Sequence, residues 1–282
     1  MTRLIDAHVH LWTPESPPID WLGGAALPRR ADLAAFAAAS AGVEVEAFVA
    51  VEAAVRAGFH MAEASWLQSL AATEPRLQGI VAHAPLERGG AVAGDLADLA
   101  AMPLVKGVRR LLQDDPDPAL CLRDGFLEGL RLLPAHGLHF EICVYHHQLE
   151  AAVETVRLCP EVDFVLDHIA KPGIRLGLVE PWRTLMRRLA KLPNVVCKLS
   201  GVATEADHDA WTEAALRPYI DHAVDVFGPS RTLFGGDWPV STGAIAYGRW
   251  VEVVLNALEG YGAEERRQIL RGTARRVYRL EG

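Results

Sequence analysis

The sequence lacks several features that mark particular classes of protein. No apolar run reaches the roughly 18 residues that a membrane span needs, and no secretory-signal pattern opens the chain. Positive charge is not in excess, because 28 Lys and Arg stand against 36 Asp and Glu, a net charge of −8 over 282 residues. This balance argues against nucleic acid or an anionic membrane surface as the main partner.

Cysteine is also scarce, and no Cys-x-x-Cys pair occurs. The spacing predicts unpaired thiols in a reducing compartment, so we expect a cytoplasmic protein. No Gly-x-Gly-x-x-Gly follows the first apolar segment, and no repeat or low-complexity tract divides the chain. We therefore expect one domain over residues 1–282. The four cysteines are Cys121, Cys143, Cys159 and Cys197.

What the sequence does contain is a regular alternation of strand-like and helix-like segments. The apolar, Val/Ile/Leu-rich segments are typical of buried parallel strands, and each is followed by a helical pattern. A doubly wound open sheet would alternate in the same way, but polar residues stand at nearly every predicted strand end, as in a (β/α)8 barrel. We therefore predict a single (β/α)8 TIM barrel. The predicted strands are 4–12, 45–53, 77–84, 105–113, 139–145, 163–168, 195–200 and 231–235.

The first strand carries an unusual pair of histidines in the segment 4–12, LIDAHVHLW. Because side chains alternate along a strand, Asp6, His8 and His10 are expected on one face and the apolar residues on the other. Two imidazoles two residues apart can both reach a metal ion or a substrate carbonyl beyond the strand end. The alternative from the residues alone is a pair of hydrogen-bonded core histidines.

In a barrel the C-terminal strand ends converge on one mouth, where catalytic residues collect. The residues at these ends combine imidazoles, carboxylates and cations, which suit metal ligation and acid–base chemistry. They are His8, His10, Glu52, His83, Arg109, Arg110, Tyr145, His146, His147, His168, Lys171, Lys198, Ser200 and Asp237.

An ordered set of segments across the chain resembles the amidohydrolase superfamily. Within it the likeness is to amidohydrolase family 2, the branch of the sugar lactonases (fuconolactonases and rhamnonolactonases) and of the pyrone-dicarboxylate lactonases. The segments are 5–10 (IDAHVH), 106–113 (KGVRRLLQ), 143–149 (CVYHHQL), 165–172 (VLDHIAKP), 233–240 (LFGGDWPV) and 269–278 (ILRGTARRVY).

The resemblance implies a barrel hydrolase that opens a small lactone, such as a sugar aldonolactone in carbohydrate metabolism. Asp237 is then expected to be the base that activates water, with His168 and Arg109 as further catalytic residues. One divalent ion, zinc first, is expected on His8, His10, His168 and Asp237; the alternative is a metal-free site in which the histidines donate hydrogen bonds.

The sequence departs from the superfamily pattern at two positions, and the first of them concerns the metal. Its binuclear members carry a carboxylated lysine at the end of strand four, whereas Lys106 stands at the beginning of that strand here, which argues against a bridged two-metal site. Gly236 stands where relatives often have serine, a minor change.

Substrate contacts are expected from residues around these groups: Glu52, His146, Lys171, Trp12 and Trp238. Each has a simpler alternative, since Glu52 and Lys171 could close salt bridges and the tryptophans, with Trp21, could pack loops. Arg109 and Arg110 point to opposite faces, so only one can enter the barrel, and we expect Arg109 to do so.

Two other functions are compatible with parts of the pattern. A metal-dependent decarboxylase of the benzoate type shares the His-x-His, His and Asp residues. Such relatives usually bind the metal through a histidine at the end of an apolar strand five, whereas strand five here ends in Tyr145, His146 and His147. A catalytically silent barrel that binds a sugar acid is the second. The expected partner is a small-molecule lactone, with neither nucleic acid nor membrane, and a homo-oligomer is left open.

Overall fold

Eight parallel strands form the centre of the computed structural model, which describes residues 3–281. They are hydrogen-bonded in sequence order, each to the next, from β1 to β8. A bridge between Val9 and Trp238 joins the two edges and closes the barrel at its mouth. The strands are β1 (Arg3–Val9), β2 (Glu44–Val51), β3 (Leu77–His83), β4 (Val105–Arg109), β5 (His139–Ile142), β6 (Phe164–Leu166), β7 (Val195–Leu199) and β8 (Thr232–Phe234).

Helices connect the strands and surround the barrel, because a parallel strand pair needs a crossover that returns the chain to the same end of the sheet. This architecture confirms the predicted (β/α)8 barrel; the extent of the domain, residues 1–282, stays a prediction. The α-helices are α1 (Leu33–Ala39), α2 (His60–Leu70), α3 (Ala93–Ala100), α4 (Asp124–Leu132), α5 (Leu149–Leu158), α6 (Trp182–Ala190), α7 (Glu213–Phe227), α8 (Tyr247–Ala257), α9 (Ala263–Arg267) and α10 (Thr273–Val277).

The strands are shorter than predicted at the mouth. Residues 110–113, 143–145 and 167–168 were expected to extend β4, β5 and β6, but pairing stops before each of them. The chain leaves the sheet there to form the loops of the mouth. Apolar composition continues into these buried loops, so the sequence pattern does not mark where the hydrogen-bonded ladder ends.

An irregularity in β1 overturns the expected alternation. Asp6 pairs with Phe48 and Val9 with Ala50, so β1 has one extra residue between these positions. Ala7 joins the apolar cluster inside the barrel, yet its neighbour His8 also faces residues of other strands there. The prediction that Asp6 shares a face with His8 is therefore wrong: its carboxylate binds Tyr247 on α8 and the backbone of Gly236.

The C-terminal segment fills the N-terminal end of the barrel, opposite the mouth. Ala274, Tyr278 and Leu280 belong to the apolar cluster that lines the strands from inside. This segment consists of α9, a π-helical turn (Gln268–Gly272) and α10. Helix α7 begins at Glu213, where the side chain of Thr212 caps it by accepting from the amide of Ala215.

All four cysteines are buried and unpaired, as their spacing predicts. Among the described residues, the helices are too short and too polar for any of them to cross a membrane.

Candidate active site

Four side chains from three distant parts of the chain meet at the barrel mouth: His8, His10, His168 and Asp237, hereafter the His–Asp cluster. Nε2 of His8 lies 3.1 Å from Nε2 of His10, and each of these nitrogens lies 3.7 Å from Oδ1 of Asp237. Nε2 of His168 lies 3.9 Å from the same oxygen. All four are nearly inaccessible to bulk solvent. The structure thus brings together the four residues that the sequence singled out as metal ligands.

Backbone hydrogen bonds between residues 8–10 and the turn after β8 hold Asp237 in the cluster. Its amide donates to the carbonyl oxygen of His8 (2.8 Å), and the carbonyl oxygen of Trp238 accepts from the amide of His10 (2.7 Å). Asp237 has a φ of +52°, in the left-handed region that aspartate tolerates better than most residues. This turn at the end of β8 directs its carboxylate toward the three imidazoles.

A left-handed turn positions His168 and Lys171 after β6. Residues 168–171 have φ values of 52°, 47°, 59° and 42°. Such a run of non-glycine residues is costly for L-amino acids, and the indole of Trp182 supports it by donating to the carbonyl of Ile169 (2.7 Å). Side chains three residues apart lie on one side of a 3₁₀-type turn, and both His168 and Lys171 line the mouth.

The electrostatics favour an ionised Asp237 beside neutral imidazoles of His8 and His168. Burial by itself raises the pKa of Asp237, but His168, His10 and His8 outweigh it and hold that pKa well below its usual range. Burial lowers the pKa of His168 to about 4 despite Asp237 and Asp167. Burial, and then the charge of Lys198, also lower the pKa of His8. At neutral pH the cluster therefore offers a carboxylate that can accept a proton.

A row of buried charged side chains of alternating sign lies beneath the cluster. Arg109 donates through Nε to Glu52 (2.6 Å) and through Nη1 to Asp167 (3.1 Å). Asp167 also lies 3.0 Å from the ammonium of Lys198, which bonds Glu141 at 2.6 Å. Because each charged group has a neighbour of opposite sign, these groups can stay ionised inside the barrel.

Three residues of this row, Asp167, Lys198 and Glu141, were not assigned a role from the sequence. A signal was present, since β7 reads VVCKL and Lys198 is the one charged residue in an otherwise apolar strand. A lysine inside a buried strand requires partners. The sequence does not show which strands supply them.

A cavity of about 300 Å³ opens above the His–Asp cluster. Apolar groups, the indole of Trp21 among them, form much of its wall, while Gln113, Asp114 and Lys171 supply polar atoms. Arg109 and His168 reach its floor beside Asp237. It is lined by His10, Trp21, Ala53, Ala54, Arg109, Leu111, Gln113, Asp114, Cys143, His168, Lys171, Asp237 and Val240.

Four predicted substrate contacts lie elsewhere, and we correct them. Glu52 is fully buried, with one carboxylate oxygen on Arg109 and the other on the amide of Ala54, so it is the salt-bridge partner. Trp12 is 1% exposed and donates to Pro28, and Trp238 is 4% exposed and packs on Phe36. Both tryptophans serve packing.

His146 is not among the residues that line the cavity, and its Nδ1 lies 3.1 Å from the carbonyl oxygen of Lys171. Lys171 does line the cavity and also forms an ion pair with Glu205 (2.8 Å). Its contact with substrate stays a prediction. Arg110 is directed outward to Glu87 and Asp115, as expected from the opposite faces of the two arginines.

The His–Asp cluster has the donor set of a zinc site. Ligand atoms of His8, His168 and Asp237 all lie within 4.8 Å of one another, and ligands at ~2.1 Å from a tetrahedral ion would be ~3.4 Å apart. Imidazole nitrogen and carboxylate oxygen are ligands that zinc accepts. Lys106 lies at the far end of β4, where its ammonium donates to the carbonyl of Pro103.

Comparison with known proteins agrees with this arrangement. A family model described as "Amidohydrolase" matches residues 5–280. The L-fucono-1,5-lactonase of Burkholderia multivorans is 33% identical over 98% of this chain and 96% of its own length.

Of two solved structures compared with this chain, one is closely similar and the other only distantly similar. A crystal structure of an amidohydrolase from Burkholderia multivorans with bound zinc superposes with a TM-score of 0.89 at 31% identity, covering 99% of this chain and 100% of that one. The 2,6-dihydroxybenzoate decarboxylase from Rhizobium has a TM-score of 0.66 at 13% identity, over the whole of both chains, and shares the fold alone. The chain belongs to the amidohydrolase family.

Proposed function

We propose that this protein hydrolyses a small sugar lactone by attack of water on the ring carbonyl, with Asp237 as the general base. The observation that carries the proposal is the position of the Asp237 carboxylate, which lies within 4 Å of three imidazoles at the floor of a cavity. Asp237 would take the proton of the attacking water and return it to the departing ring oxygen. The lactonase name of the Burkholderia relative supports this reaction.

The developing oxyanion requires positive charge or hydrogen-bond donors. The guanidinium of Arg109 is fixed by Glu52 and Asp167 on either side and lines the cavity floor, so it presents a positive charge that needs no reorganisation. His168 is oriented by its contact with Ser200 at 2.8 Å, which leaves Nε2 facing Asp237. We assign Arg109 and His168 to stabilisation of the carbonyl oxygen.

A divalent ion fits the same residues. His8, His10, His168 and Asp237 would hold it, zinc being the ion bound by the Burkholderia amidohydrolase, and it would supply Lewis-acid polarisation of the carbonyl. The proton transfers remain those of Asp237.

The cavity favours a single sugar ring that has both an apolar edge and hydroxyl groups. Trp21, Leu111 and Val240 offer apolar contact, as a deoxy position of the sugar would require. Lys171 and Gln113 can bond hydroxyls, so we propose an aldonolactone, with a deoxy sugar acid as its product. The unpaired thiols support a cytoplasmic enzyme.

A panel of L-fucono-, L-rhamnono- and galactonolactones with a pH indicator tests the proposal. We expect proton release with at least one lactone, and a fall in kcat of at least ~10³-fold in Asp237→Asn, because the amide cannot accept the proton. Asp163→Asn, an exposed aspartate at the opposite end of the barrel, is the matched control. No turnover in the panel, or full activity of Asp237→Asn, would contradict the proposal.

A further inference from the structure

The barrel is joined least regularly between β8 and β1, hereafter the seam. Every other pair of neighbouring strands forms a parallel ladder. At the seam, the described residues pair only through the isolated bridge between Val9 and Trp238. The His–Asp cluster spans this seam, because His8 and His10 stand at the end of the β1 segment and Asp237 follows β8. The position of Asp237 relative to the two histidines therefore depends on the few hydrogen bonds that cross the seam.

Asp6 adds side-chain hydrogen bonds at the seam, although it lies outside the cluster. Its carboxylate is fully buried, and Oδ1 accepts from the amide of His8 (3.0 Å) and from the amide of Gly236 (2.7 Å). The first amide belongs to a member of the cluster, and the second belongs to the residue before Asp237. A single oxygen atom thus bonds to the backbone on both sides of the seam.

Helix α8 fixes the other oxygen of the same carboxylate. Oδ2 of Asp6 accepts from the buried hydroxyl group of Tyr247 (2.9 Å). The helix also holds the turn after β8 directly, since the indole of Trp250 donates to the carbonyl oxygen of Gly235 (2.8 Å). With donors on both oxygens, the carboxylate cannot rotate without losing a hydrogen bond, and a side chain locked in this way can position the groups bonded to it.

Gly236 leaves the space that the contact with Asp6 needs. A Cβ at this position would lie 2.5 Å from Oδ2 of Asp6 and 2.5 Å from Cε2 of Tyr247. A side chain there would push the carboxylate away from the amide that donates to it. The absence of a side chain on one side of the seam is therefore matched to the aspartate on the other.

We propose that Asp6 is a positioning residue: by accepting from both amides, it sets the position of Asp237 relative to His8. The inference rests on the proposed function for its effect on rate, since a displaced Asp237 slows turnover only if Asp237 is the base. A misplacement of about 1 Å can cost ~10²-fold in rate. Because Asp6 does not line the cavity, its loss should lower kcat and leave KM nearly unchanged.

Two variants separate the accepted hydrogen bonds from the charge. Asp6→Ala removes both, whereas Asp6→Asn removes the charge but keeps an oxygen that can accept from the two amides. With a lactone that the enzyme opens, kcat should fall ~10²-fold in Asp6→Ala at a KM within ~3-fold of the wild type, and by less than ~5-fold in Asp6→Asn. Equal losses of kcat in the two variants would overturn the inference, because the bonds to the amides would then not be the cause.

Hydrogen exchange followed by mass spectrometry tests the positioning without any lactone. Asp6→Ala should speed amide exchange in segments 4–12 and 233–240, which lie on the two sides of the seam. The matched control is Asn194→Ala, because the side chain of Asn194 donates to three carbonyl groups at the opposite end of the barrel. The control also loses three hydrogen bonds, but it should leave kcat and the exchange of 233–240 unchanged.

Exchange of 233–240 that is normal in Asp6→Ala, or equally fast in Asn194→Ala, would overturn the inference whether or not lactones are hydrolysed. Faster exchange in Asp6→Ala alone, with no lactone hydrolysed, would support the role of these hydrogen bonds and count against the proposed function only. If Asp6→Ala does not fold, as judged by circular dichroism, Tyr247→Phe takes its place. This variant releases Oδ2, so exchange of 233–240 should still rise, and exchange equal to that of the wild type would overturn the inference.

Discussion

At the scale of single residues, two adjacent arginines have opposite consequences for stability. Arg109 is buried between Glu52 and Asp167, whereas Arg110 bonds Glu87 and Asp115 near the surface. Replacement of Arg109 leaves the buried Glu52 without a counter-charge and Asp167 with Lys198 alone, so Arg109→Met should lower the free energy of unfolding by about 3–5 kcal/mol. Urea unfolding measures this difference.

Arg110→Met is the matched control, because its partners remain near water and can be solvated. It should cost about 1 kcal/mol or less. Equal losses in the two variants would mean that the buried row of charges does not support the barrel as described.

The same residues show what the sequence can reveal at this scale. His8, His10, His168 and Asp237 were identified because their motifs are local and stand at strand ends. Lys198 and Glu141 were given no role, because a buried salt bridge depends on which side chains of different strands meet. For the same reason the sequence left both a substrate contact and a salt bridge open for Glu52, because its partner Arg109 is distant in sequence.

At the scale of elements, the turn after β7 leaves room for the site. Gly201 has a φ of +57°, and a Cβ there would lie 2.8 Å from Nδ1 of His168 and 2.9 Å from Oδ2 of Asp237. Gly201→Ala should therefore displace both catalytic groups and lower kcat at least ~10-fold. Steady-state kinetics with a hydrolysed lactone measure this.

Gly228 provides the control, because it has a φ of +74° and no atom within 4 Å of its would-be Cβ. Gly228→Ala should cost similar stability, ~1 kcal/mol or more, but leave kcat unchanged. If both variants lose activity equally, general strain rather than the clash with the site is the cause.

Helix α2 supports the end of β2 through a buried carboxyl group. Glu63 accepts from the amide of Ala53 (2.7 Å), and burial, followed by the charge of Glu52, raises its pKa to about 8. Since the folded chain binds this proton more tightly than the unfolded chain, stability should fall as pH rises from about 4.5 to 8 and then level off.

Glu63→Gln retains the acceptor and does not titrate, which isolates this effect. Relative to the wild type, its free energy of unfolding should increase by up to ~3 kcal/mol between pH 5 and pH 8. Urea unfolding at several pH values tests the sign. A constant difference across this range would show that Glu63 titrates normally.

The element scale also shows where prediction from sequence ends. The order and type of the strands follow from apolar segments and intervening helices, and they were predicted. The extra residue in β1 was not, because nothing in the segment IDAHVH distinguishes a bulge from strict alternation. That bulge lets Ala7 and His8 both face the barrel interior, and it separates Asp6 from the site.

At the scale of the whole molecule, the barrel turns dispersed residues into one site. Closure between β1 and β8 brings Asp237 to His8 and His10, while the C-terminal segment fills the opposite end with Tyr278 and Leu280. Tyr278 donates to Glu141 (2.5 Å), so the C-terminal segment contacts the row of charges beneath the site. Water attack at the mouth is the function that this arrangement supports.

Isotope incorporation tests that central claim most directly. A lactone that the enzyme opens is hydrolysed in H₂¹⁸O, and the product is examined by ¹³C NMR for the shift that ¹⁸O causes. Attack of water on the ring carbonyl predicts one ¹⁸O atom in the new carboxylate at each turnover. Label in the released hydroxyl group, or loss of carbon dioxide in place of ring opening, would contradict it.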